Sequence, residues 1–182
     1  MPEHEKKDPT FFAQQVMLIG TNDPDGKARF CPISWVSYSW GPPPCLVVSV
    51  WGTKRTKENI GRTSLFSATV VTPDLLPLCE QFNRGTYKKE LFENLNYEVQ
   101  SGTALEVPIL KDSKYSFECK VLTTTSVGET MTYFGEIEHV NISEKIKALK
   151  FFDLREINPV IYSPDHYFTV GGHLGKIGDF SK

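Results

Sequence analysis

Between Ser49 and Ser67 the chain reads SVWGTKRTKENIGRTSLFS, and the residues that could do chemistry gather in its middle. Thr53 and Thr56 carry hydroxyl donors. Lys54, Arg55 and Lys57 carry positive charge, with Glu58 the one acid beside them. The pattern predicts a short helix over Thr56–Ile60, so the cations fall at its start. A helix N-terminus bears roughly half a positive charge and exposes N–H groups that have no partner within the helix. Cations are mildly repelled there unless an anion sits among them. Hydroxyls, cationic side chains and free N–H groups are together the parts of a phosphate site. The structural alternative is a solvated basic turn, screened by water and salt.

The neighbouring stretch CPISWVSYS bears on that choice. It reads as a strand containing Ser34, Trp35 and Val36. A strand whose backbone N–H and C=O groups lie open can read the polar edge of a flat heterocycle. A phosphate on the adjacent loop and a ring along the strand would describe a bound nucleotide such as FMN. A Ser-Trp pair in a strand also suits ordinary core packing, so the residues alone carry the idea no further than that.

The elements that must position these residues follow from pattern. An apolar strand near Val16–Ile19 meets the turn DPDG at Asp23–Gly26, where Pro and Gly stand as turn chemistry requires, and a second strand runs through Ile33–Ser37. GPPP at Gly41–Pro44 stops any regular element. The β-branched run Cys45–Trp51 predicts a buried strand. The short helix should end near Gly61 as a C-terminal cap, with strand resuming over Ser64–Val71. Thr72–Gly85 reads as a helix opened by Thr72 and Pro73 in the cap and first-turn positions. Lys88–Tyr97 reads as a loop with one more turn. Tyr115–Val127 and Met131–Ile142 are two long strands around a turn at Gly128 and Glu129. Tyr115, Phe117, Cys119 and Val121 alternate, which places Cys119 on a core face. Pro159, Pro164 and several glycines break the remainder into short pieces. Many strands and few short helices predict a mainly β, antiparallel, closed or nearly closed barrel.

The totals narrow the function classes. At 182 residues the chain fits one domain spanning 1–182, with residues 1–12 as an arm-like N-terminus. A net charge of −2 argues against a nucleic-acid partner held by non-specific phosphate contacts. No apolar run is long enough to span a bilayer, and MPEHEKKDPT lacks the apolar core of a signal peptide, so a cytoplasmic protein without a membrane partner is expected. Cys31, Cys45, Cys79 and Cys119 show no C-x-x-C spacing, and His4, His139, His166 and His173 show no ligand-like spacing, so no metal is expected. The closing GGHLGKIG lacks the strand, helix and distal acid of a dinucleotide fingerprint. No nucleophile elbow or other hydrolase signature occurs, and no catalytic residue is singled out.

The run DPDGKARFCPISWVSYSWGPPPCLVVSVWGTKRTKENIGRTSLFSATVV resembles the flavin reductase-like family, FMN-binding split barrels that include the flavoredoxins. Its marks are the D-G turn, then PISW, PPP, an apolar strand, T-x-x-N-I and a Phe-led strand. FECKV, YFGEIEHV and the closing GGHLGKIG resemble the family's second half. The resemblance implies a Greek-key split barrel that holds FMN non-covalently and forms a homodimer. It also implies electron flow from NAD(P)H to free flavin or a redox protein. Carried over by position, Ser34, Trp35 and Val36 would lie along the isoalloxazine. Val50 and Trp51 would flank the ribityl chain, and Thr53, Lys54 and Thr56 would hold the phosphate. Asn59 is a further candidate whose alternative role lies within the helix. Three positions depart from the family pattern: Arg29 and Thr69 stand where Asn is frequent, and Thr130 where reductases often carry a His. That last departure opens a second reading, a flavoredoxin-type electron carrier without its own NAD(P)H activity. A ligand-binding barrel that has lost flavin is the third.

Overall fold

The computed structural model describes residues 13–85, 97–150, 152–177 and 179. The arm-like N-terminus expected over 1–12 lies outside them, as does the loop expected at Lys88–Tyr97 up to residue 96.

In chain order the strands are β1 (Gln14–Gln15), β2 (Met17–Asn22), β3 (Ala28–Ile33), β4 (Val36–Ser39), β5 (Cys45–Val50), β6 (Leu65–Val70), β7 (Val99–Ser101), β8 (Pro108–Leu110), β9 (Tyr115–Val127), β10 (Thr130–Ile142), β11 (Ile161–Ser163) and β12 (His166–Phe168). The helices are α1 (Arg55–Thr63), α2 (Leu76–Gly85), α3 (Glu144–Lys147) and α4 (Leu154–Ile157). Seven strands form one sheet in the order β3-β2-β6-β9-β10-β5-β4, every pairing antiparallel. Its two edge strands, β3 and β4, are consecutive in sequence, and only Ser34 and Trp35 separate them. A sheet whose opposite edges are joined by two residues must curl until those edges meet. The result is an antiparallel split barrel with a seam, and the Ser34–Trp35 joint crosses that seam.

Alternation along the strands builds two cores. Met17 and Ile19 of β2 face the barrel interior with Leu46, Val48, Val50 and Phe66. Leu18, on the other face, packs outside the barrel with Phe30, Cys79 and Phe82. The sheet is thus buried on both faces where α2 covers it. Cys119 is fully buried in the interior, as its alternation predicts. Gly135 of β10 is there because nothing larger fits: a Cβ would stand 2.5 Å from Phe66 Cζ.

The opposite face of β9 holds a feature absent from the sequence-based expectations. Glu118 is fully buried and accepts backbone N–H bonds from Thr103 (2.6 Å), Ala104 (2.8 Å) and Leu105 (2.7 Å), and from Asn141 Nδ2 at 2.7 Å. Burial pushes this carboxyl upward, yet the hydrogen bonds from Asn141 and the three backbone groups outweigh it and hold it below its ordinary value. The loop before β8 is folded around one charge.

Four local expectations are corrected. The strand expected over Ile33–Ser37 is two strands broken at Ser34–Trp35, and β3 begins earlier, at Ala28. Pro32 is tolerated in β3 because that strand is an edge. The short helix runs on through Gly61 to Thr63. Its cap is Ser64, which adopts the left-handed conformation and donates to Ile60 O, while the Thr63 hydroxyl holds Asn59 O at 3.0 Å. In the next helix, Thr72 and Pro73 precede a turn, and regular helix starts only at Leu76. Thr72 O accepts from Leu75 N at 2.9 Å, but its buried hydroxyl has no partner, so it is not a side-chain cap.

Candidate functional site

The site is assembled where β5 ends. After Val50 the chain turns at Gly52, whose φ of +70° is one that side-chain-bearing residues rarely adopt. It then enters α1 through Lys54, an extended N-cap residue that makes no side-chain cap hydrogen bond. The N–H groups of the first turn therefore receive no capping side chain from Lys54. Lys54 N-caps where Ser, Thr, Asp or Asn would be preferred, which is an unfavourable choice for a helix standing alone.

The three cations at this start divide by partner. Lys57 Nζ donates to Gly52 O at 3.0 Å and to Glu129 O at 2.8 Å, pinning the turn after β5 to the β9–β10 turn. Arg55 donates to Glu58 at 3.0 Å and lies 3.8 Å from Asp23. Lys54 makes no ion pair among the described residues. Thr56 is buried, Lys54 half-buried and Thr53 exposed. Lys54 and the Thr56 hydroxyl stand beside the Cys31 thiol of β3. Burial pushes that thiol up, and those two neighbours only partly oppose the shift.

Asn59 takes a structural place. It is buried, and its Nδ2 donates to Thr21 Oγ1 at 3.1 Å and to Asp23 Oδ1 at 2.9 Å. Asp23 also accepts from Arg29 Nε at 2.7 Å. Burial raises the Asp23 carboxyl, but the bonds from Asn59 and Arg29, with the charges of Arg29 and Arg55, bring it below its ordinary value. Arg29 is thus the clamp on the β2–β3 turn. Thr69 is likewise structural, fully buried and hydrogen-bonded to the Ser116 hydroxyl at 2.9 Å.

The Ser34–Trp35 joint meets this site through β5: Trp35 O accepts from Ser49 N at 2.9 Å, and Ser34 O from Val36 N at 2.9 Å. Trp35 is 40 % exposed and Trp51 66 % exposed, whereas Val50 is fully buried in the barrel core. Val36 is half-buried at the start of β4. Ser34 and Trp35 also line a cavity of about 210 Å³ with Asn83 of α2 and with Tyr162 and Tyr167 of the β11–β12 hairpin. The fold therefore draws the β3 end, the joint, the β5 end and the α1 start together, bringing Ser34, Trp35, Trp51, Lys54 and Thr56 into one region. Asp23, Cys31 and Glu118 are residues that sequence reasoning missed. The D-P-D-G turn could have pointed to Asp23, but only as a turn residue.

The sequence model of the flavin reductase like domain matches residues 10–171. The chain belongs to that family. Flavin-linked oxidoreduction is the chemistry this membership supports. Among solved structures, the flavoredoxin of Methanosarcina acetivorans is similar at 24% identity and a TM-score of 0.86, over 97% of this chain and 95% of that one. The flavoredoxin of Desulfovibrio vulgaris (Miyazaki F) matches at 20% identity and a TM-score of 0.86, over 100% of both chains. The styrene monooxygenase flavin reductase of Pseudomonas putida S12 matches at 15% identity and 0.73, over 90% of this chain and 94% of that one. At these identities the likeness speaks for the fold. Comparison with functionally curated proteins gave no match. No helix among the described residues of this flavin reductase-like chain is long and apolar enough to cross a membrane.

Proposed function

We propose that the protein binds FMN non-covalently and works as an oxidoreductase, taking electrons from NAD(P)H and passing them to free flavin or a protein acceptor. The observation that carries this reading is the start of α1: an uncapped helix N-terminus whose nearest cation, Lys54, has no ion pair among the described residues. A phosphate dianion supplies what that arrangement lacks, an acceptor for free N–H groups and a counter-charge for Lys54. The donor set fits, since Thr53, Lys54 and Thr56 offer hydroxyls and one ammonium that pairs with no carboxylate among the described residues.

Bound FMN would supply the redox-active ring that takes up hydride and releases electrons. The chain's part is to bind and orient. Thr53, Lys54 and Thr56 hold the phosphate. Trp51 would flank the ribityl chain, and Val50, buried in the barrel core, would fix the end of β5 that leads to it. Ser34, Trp35 and Val36 present the backbone of the seam to the ring edge. Asn59 serves at one remove, fixing α1 to Asp23. The working form proposed is a cytoplasmic homodimer, and the four buried free cysteines suit a reducing compartment.

One observation favours a second reading, a flavoredoxin-type carrier that receives its electrons from a protein. Thr130 opens β10 where reductases of the resembled family often carry a His. Two similar solved structures are flavoredoxins. The test begins with the visible spectrum of the purified protein before and after addition of FMN. Flavin absorbance that persists through gel filtration supports the cofactor, and a chain that stays colourless at micromolar FMN refutes it. Oxidation of NADH or NADPH by the FMN-loaded protein then supports the reductase, and its absence supports the carrier.

A further inference from the structure

A second cavity belongs to the other end of the barrel. Pro44, which leads into β5, lines a cavity of about 550 Å³, whereas Trp51, which follows β5, belongs to the candidate phosphate end. A strand advances about 3.3 Å per residue, so the length of β5 separates the two regions by roughly 20 Å. The cavity's wall is an arc of rings in successive edge-to-face contact. Tyr38 meets Phe117 at 6.0 Å between centroids, Phe117 meets Tyr115 at 5.2 Å, and Tyr115 meets Phe152 at 5.6 Å. Leu154 and Val170 close the side away from the sheet.

Among the described residues, no charged one lines this cavity. A smaller cavity of about 270 Å³ shares Phe152, Leu154 and Val170 with it and carries Asp153 and Arg155, whose charges are paired with each other at 2.6 Å. A charged guest would therefore be desolvated without a counter-charge, at a cost of several kcal/mol. Polar side chains among its lining residues are few: Gln15, Trp40, Tyr38 and Tyr115. Burial pushes both phenols upward, Tyr38 to about 12, so each stays protonated and able to donate. A volume in the range of about 300–1,000 Å³, an aromatic wall and a few polar anchors at a barrel mouth describe a small-molecule site.

We infer that this end of the barrel is a second binding site, for a neutral aromatic compound that carries one or two hydrogen-bonding groups. It is independent of the flavin reading, since none of the residues proposed to hold FMN lines it.

The test titrates the full-length chain with N-phenyl-naphthylamine, a neutral flat dye that fluoresces in apolar surroundings. The expected result is saturable binding at micromolar dye, displaced by naphthol and not by the naphthoate anion. Leu154→Trp, which fills the cavity from an exposed position, should weaken binding about tenfold with an unchanged far-ultraviolet circular dichroism spectrum. Lys54→Ala, at the opposite end, should leave dye affinity as it was. Absence of saturable binding overturns the inference, as does equal displacement by naphthoate or indifference to Leu154→Trp. So does binding that emerges only when Leu154→Glu converts a dimer to a monomer, since a second copy would then be what covers the cavity.

Discussion

The Asn59 side-chain amide donates to the Asp23 carboxylate at 2.9 Å, tying the middle of α1 to the turn between β2 and β3. Both residues are buried, and Arg29 occupies the second carboxylate oxygen. Replacing Asp23 by Ala leaves the buried amide with Thr21 alone and removes the Arg29–Asp23 bond. The expected loss is about 2 kcal/mol of stability, from one unsatisfied buried donor and one lost charged bond. Urea denaturation measures it, and a midpoint equal to wild type would show that the contact is not needed.

Glu118 should matter more. Glu118→Gln keeps the shape but replaces one acceptor oxygen with an NH₂ group that faces N–H donors. Either the Thr103 N–H or the pair from Ala104 and Leu105 then faces that NH₂ without an acceptor. A cost of about 3 kcal/mol is expected, seen as a lowered thermal midpoint. A variant within a degree or so of wild type would mean that the loop around residues 102–105 holds without the charge.

The two carboxylates set the acid limit together. Each is held below its ordinary value, 3.8 for Asp23 and 4.5 for Glu118. A depressed carboxyl contributes stability that is fully present above its unfolded value and is lost as pH falls through its folded one. Stability should therefore change little on their account from pH 7 down to about pH 5 and drop steeply below about pH 4. In Glu118→Gln the acid drop should be shallower. Urea midpoints across that range decide the matter, and equal slopes in variant and wild type would remove Glu118 from the explanation.

Lys54 and Lys57 should part company although only two residues separate them. Lys54→Ala removes the cation proposed to meet the phosphate, a charge-assisted contact of about 1.5–3 kcal/mol, so FMN affinity should fall about tenfold or more. The difference should shrink as salt rises. Lys57→Ala loosens the link between Gly52 and Glu129 and should lower stability while leaving FMN affinity within about threefold of wild type. Flavin fluorescence titration reads both. Equal losses in the two variants would count against a phosphate specifically at Lys54.

Gly135→Ala places a methyl carbon 2.5 Å from Phe66 Cζ, 2.6 Å from Cε1 and 3.0 Å from Cys119 Cβ. Phe66 is fully buried and has little room to move away. The expected cost is about 1–3 kcal/mol in chemical denaturation, typical of an overpacked core. Pairing it with Phe66→Leu should recover part of that loss, and failure to do so would place the strain in the backbone of β10.

Much of this architecture could be read from pattern because strands write their burial at period two. The core place of Cys119 follows from it, while the Cys45–Trp51 strand was read from its β-branched run. The Ser34–Trp35 break did not, since a joint between two sheet edges is a property of closure, and no local spacing records closure. The extension of α1 past Gly61 was hidden because Thr63 and Ser64 cap by hydrogen bonding and a left-handed turn, a combination that propensity does not single out. At the candidate site, residue type pointed to Lys54 and Thr56. Glu58, within one turn, was in view as a partner for Arg55, but the Glu129 carbonyl that holds Lys57 and the Asp23 carboxylate beside Arg55 lie far away in sequence. Glu118 was invisible for the same reason: a buried acid looks like any other until the loop that wraps it is in view.

The strand order also has a consequence for how the chain reaches its native form. β2–β3, β4–β5 and β9–β10 join neighbours in sequence and can zip as separate hairpins on the microsecond scale. β2–β6, β6–β9 and β5–β10 join distant segments, so each demands loop closure before it returns any contact. Three quickly formed hairpins must therefore wait on three slow searches. Refolding should be limited by strand docking, with substitutions along β5 or β10 slowing it more than changes in the β2–β3 turn.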